Sequence, residues 1–188
     1  MGFDLYMARP PANVSGYEPQ YEGMPEYFRV TSATMPALVA AMERAGVVDL
    51  AMPTPRLPTW PPGRHASSSP PEDTSARPSV EPPSTASELA ILDEFRERRL
   101  EVLGARSPER SKVPAFKFAS NDGWRISPEE CRAIADGLTH ALTMREAEVL
   151  DGFFRAGGAL SRVDARAFLD AFARYNAVAA EHDGYRVD

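Results

Sequence analysis

The chain has 188 residues, a formal net charge of -6 and a pI near 5.2, with 43% hydrophobic and 26% charged residues. These values permit one buried core of ordinary domain size and exclude wholesale disorder, and the negative balance opposes attachment to nucleic-acid backbones or anionic lipid. A lone cysteine, Cys131, rules out an internal disulfide, the opening MGFDLYMARPP lacks the basic-then-apolar pattern of a leader, and no run reaches the roughly 18 apolar residues of a membrane span. The expected location is therefore the cytoplasm.

In chain order, Phe3, Leu5 and Met7 alternate with Asp4 and Tyr6, which predicts a half-buried strand over residues 3–8, ended by Arg9-Pro10-Pro11. Residues 13–25 are polar and turn-rich, and Tyr27-Phe28-Arg29-Val30 returns to apolar character. A helix over 35–45 follows, with Thr34 as its cap, Met35, Leu38, Val39 and Met42 at helical spacing, and Gly46 as its left-handed stop. From 53 to 84 proline and serine dominate, so this segment is expected to be a disordered, solvated linker inserted within one fold. Trp60 is the large apolar residue in it, able either to lie back on the folded part or to stay exposed.

The helical pattern resumes at Thr85-Ala86-Ser87-Glu88, a capping-box sequence, and carries Leu89, Leu92, Phe95 and Leu103 to Gly104. Ala115-Phe116-Lys117-Phe118-Ala119 reads as a short alternating strand. Ser120-Asn121-Asp122-Gly123 then turns into Trp124-Arg125-Ile126 and a second box, Ser127-Pro128-Glu129-Glu130, with proline at the first helical position. Cys131, Ile134, Ala135, Leu138 and Leu142 stripe the helix that follows. A third box sequence, Thr143-Met144-Arg145-Glu146, predicts another helix, stopped at Gly157-Gly158. A last helix runs from Ser161 to about His182, and Tyr185-Arg186-Val187 is short and alternating.

These elements predict a helix-dominant α+β fold in which strands near 3–8, 115–119 and 184–187 form a small sheet with about five helices, the alternative being an all-α bundle. Residues 1–52 and 85–188 are expected to share a single core, with 53–84 as the insertion.

The segments GFDLY, EYFRV, FKFASNDGWRISPEEC and YNAVAAEHDGYRVD, taken in this order, resemble a family of uncharacterised proteins of actinobacteria and their phages. Those proteins begin MG(F/Y)D(L/M)Y, carry an SNDGW block and end in an HDGYRV-like run. Thr31-Ser32-Ala33 stands here where the family pattern has a tryptophan-containing run. The resemblance implies membership and no particular activity.

Candidate chemistry sits in two places. Asn121, Asp122 and Trp124 in one turn, with Tyr175, Asn176, His182 and Asp183 near the end, supply amide, carboxylate, phenol and imidazole groups that could bind a small polar ligand if the two segments share a pocket. Set against this, His182-Asp183-Gly184 has the composition of a helix terminus, and His140 in the last turn of its helix has the same explanation. With Gly123 taken as the sixth position of a calcium loop, Phe118 occupies the first, and phenylalanine cannot ligate. Cys131 lies on an apolar stripe, the usual place of a core thiol.

The chain lacks the serine-nucleophile elbow, the phosphate-loop and dinucleotide fingerprints, and cysteine or histidine pairs at zinc spacing. The linker segment Pro58-Thr59-Trp60-Pro61 is a further candidate, as a ligand for an aromatic groove on a partner. The expected function is that of a non-enzymatic accessory protein that binds another protein or copies of itself, without metal or cofactor. The runner-up is a small-molecule site or enzyme built on the seven residues above, and a nucleic-acid accessory factor comes third.

Overall fold

A computed structural model of the chain describes residues 2–7, 27–59 and 86–188. The turn-rich stretch after the first strand, the proline-rich run from residue 60 with Trp60, and the side chains of the first capping box lie outside the described residues. The chain divides into two compact units, Met1–Thr54 with Gly104–Asp188, and Pro55–Leu103. The first unit is thus discontinuous in sequence. The sequence pattern drew the return to the core at residue 85, whereas the division falls between residues 103 and 104.

The architecture is α+β and helix-dominant. In the first unit, β1 (Gly2–Met7), β2 (Tyr27–Thr31), β5 (Trp124–Ile126) and β6 (Tyr185–Val187) form an antiparallel sheet of order β2-β1-β6-β5. The segments GFDLY, EYFRV, FKFASNDGWRISPEEC and YNAVAAEHDGYRVD each supply one of these strands. Leu5 pairs with Val187 and Phe28, and Val187 pairs in turn with Trp124. Reciprocal backbone bonds of 2.8 and 2.9 Å between Asp4 and Asp188 extend the β1–β6 ladder. A separate parallel pair joins β3 (Val48–Asp49) to β4 (Val113–Pro114).

The sheet's apolar face, with Leu5, Met7, Val30, Trp124, Ile126, Tyr185 and Val187 buried, belongs to the core built by α1 (Met35–Ala45), α3 (Pro128–Met144), α4 (Glu146–Arg155) and α5 (Arg162–Ala179). Phe28 sets the joint between sheet and α5, its ring 5.4 to 5.7 Å from those of Phe168, Phe172 and Tyr175. Aromatic contacts at this range add to the free energy of area burial itself. The helix ends follow local chemistry. Ser127 and Glu130 form the complete reciprocal capping box at the start of α3, and Gly46 closes α1 at φ 81°. Thr34 stands at the N-cap of α1 but makes no side-chain cap bond. Its hydroxyl meets that of Thr31 at 2.8 Å instead.

Two local expectations are corrected. Ala115–Phe118 is a 3-10 turn, because Phe116, Lys117 and Phe118 are all buried in succession, which an alternating strand cannot achieve. The sheet strand in this region is β5 instead. Thr143 belongs to α3 and donates back to the Thr139 carbonyl at 2.9 Å, so the expected third capping box does not form and α4 begins after Arg145 without a side-chain cap.

The described part of the second unit consists of Pro55–Thr59 and α2 (Ala86–Leu103). Along α2 the pairs Arg96–Asp93 and Arg98–Glu94 follow three- and four-residue spacing, and Leu89, Ile91 and Leu100 are exposed. No helix among the described residues is long and apolar enough to cross a membrane.

Candidate functional site

The seven positions singled out in the sequence differ in exposure. Trp124, Tyr175 and Asn176 are buried, whereas Asn121, Asp122 and Asp183 are exposed and His182 is half-buried. Trp124 packs edge-on against Phe116 at 4.7 Å and donates from its indole to Ser120 Oγ, which itself bonds Asp122. Asn121 donates to the Gly2 carbonyl at the end of β1. Tyr175 donates to the Leu5 carbonyl at 2.5 Å, tying α5 to the sheet, and its burial holds the phenol above its ordinary value. The Asn176 side-chain amide donates to Phe172 one turn back.

The turn at 120–123 and the segment at 182–184 lie at opposite ends of the β5–β6 pair. Gly123 bonds Val187 at one end, while Gly184 sits against the Ile126 carbonyl at the other. Four residue steps of extended chain separate these ends, about 13 Å. The two segments are therefore joined through neighbouring strands, each at its own end of the pair.

A buried polar cluster went unread in the sequence. Lys117 is fully buried, and its ammonium donates to both carboxylate oxygens of Glu130 at 2.8 Å and to the Arg125 carbonyl at 2.7 Å. All three ammonium protons have acceptors. Burial lowers the Lys117 pKa, and the attraction of Glu130 opposes that shift. Cys131 next to it is buried and its thiol is pushed well above the ordinary value, chiefly by burial, so it lacks the thiolate character that nucleophilic catalysis requires. Tyr185 is buried too, its phenol raised by burial and lowered somewhat by Asn176. These groups clasp the 3-10 turn, β5, β6, α3 and α5 together in a closed interior. The signal in the sequence was weak: a lysine between two phenylalanines, Phe116-Lys117-Phe118.

Among the described residues, a groove of about 610 Å³ along α1 is open to a ligand. Phe3 from β1, Met35 and Val39 from α1, Met52 beyond β3, and Phe116 and Phe118 from the 3-10 turn form its apolar walls. Leu50 stands on its rim, 55% exposed. Glu43 is the one ionisable residue among the described residues lining it. The groove exists because α1 presents its Met35, Leu38 and Met42 side to the core while Val39 and Ala40 are only half-buried, and because the 3-10 turn sets phenylalanines against that half-buried side. An open trough of this kind cannot enclose the bulk of a small molecule's surface, the usual condition for tight small-ligand binding, but it suits side chains presented by a larger partner. The sequence showed the α1 stripe, but only the tertiary packing shows that its edge is uncovered.

Among the described residues no three or more His, Cys, Asp or Glu side chains come together in a way that could hold a metal ion. Fold and site together define a helix-dominant α+β protein with an open apolar groove. No protein-family model, curated protein or solved structure matches the chain.

Proposed function

We propose that this protein is a non-enzymatic accessory protein that binds another protein through the groove along α1. The observation that carries this reading is the open trough of about 610 Å³, walled by methionine and phenylalanine, with a single carboxylate among its described lining residues. Methionine side chains can reshape around an incoming apolar group and aromatic rings offer large rigid contact area, which suits an apolar segment of a partner.

The test compares complexes recovered from the host by the wild-type protein with those recovered by Val39→Asp and Leu50→Asp. Both substitutions place a charge in or beside the groove without touching a fully buried residue. The same partner is expected with wild type and with a control at Val163, which is 78% exposed and outside the groove, and it is expected to be lost with both groove variants. A partner retained by the groove variants overturns the reading. So does sedimentation that shows only self-association of the purified chain, abolished by the same substitutions.

A further inference from the structure

We draw no further inference here: the strongest candidate, the exposed apolar side chains of Leu89, Ile91 and Leu100 along α2, carries nothing because nothing in the structure shows what covers them.

Discussion

Lys117 shows how one side chain can decide local structure. Lysine is rarely buried without a partner, because stripping water from an ammonium costs several kcal/mol. Here Glu130 is already held at the start of α3, its carboxylate accepting from the Ser127 amide at 2.8 Å, and so it offers a pre-positioned acceptor. That acceptor draws Lys117 inward and turns the Phe116-Lys117-Phe118 run from an alternating strand into a 3-10 turn with all three residues buried. Lys117→Met should therefore leave a buried carboxylate without its cation and destabilise the fold by about 3–5 kcal/mol. The double variant Lys117→Met/Glu130→Gln should recover part of that loss. Chemical denaturation of the two variants measures both numbers, and a single variant as stable as wild type would show that the pair is not coupled.

Among the elements, the hinge from α5 into β6 is the most constrained. Asp183 takes φ 64° and Gly184 takes φ 78°, and a Cβ on Gly184 would stand 2.0 Å from the Ile126 carbonyl oxygen. The obstacle is backbone, so it cannot rotate away. Two successive left-handed residues reverse the chain so that Tyr185 lands opposite both Ile126 and Met7. Gly184→Ala should cost roughly 2–4 kcal/mol from the collision and the left-handed backbone combined, read as a lowered melting temperature. An unchanged melting temperature would mean that β6 can shift from its register with β5. By contrast the capping box at Ser127 and the stop at Gly46 are local, which is why both were legible from sequence alone.

For the molecule as a whole, the buried titratable groups set the response to alkali. Burial raises the pKa of the Cys131 thiol above its ordinary 9.0, and those of the Tyr175 and Tyr185 phenols above 10.0. Above these ordinary values the unfolded chain has released protons that the folded chain still holds, so their stabilisation is complete below about pH 9 and is lost as pH rises. Lys117 acts the other way below its ordinary 10.5, because its folded pKa is lowered and the unfolded chain binds more protons there. Between pH 9 and 10 the thiol and Lys117 largely offset one another, and above pH 10 the three acids prevail. The free energy of unfolding should fall between pH 10 and 11, by up to about 1.4 kcal/mol per pH unit for each group fully titrating in the unfolded chain. Cys131→Ala should make stability rise more, or fall less, from pH 9 to 10 than it does in wild type, and a stability flat from pH 10 to 11 would refute the assignment.

The helix-dominant α+β class, the bounds of α1, the boxed start of α3 and the strands at both ends of the chain could be read from sequence by itself, because caps, glycine stops and alternation are written in neighbouring residues. The role of EYFRV and WRI as sheet strands, the inward turn of Lys117 and the groove along α1 were decided by tertiary structure. Each depends on which residues distant in the chain come to lie side by side. The same long-range pairing places the turn at Asn121-Asp122-Gly123 and the segment at His182-Asp183-Gly184 at opposite ends of two adjacent strands, where no local pattern could have put them.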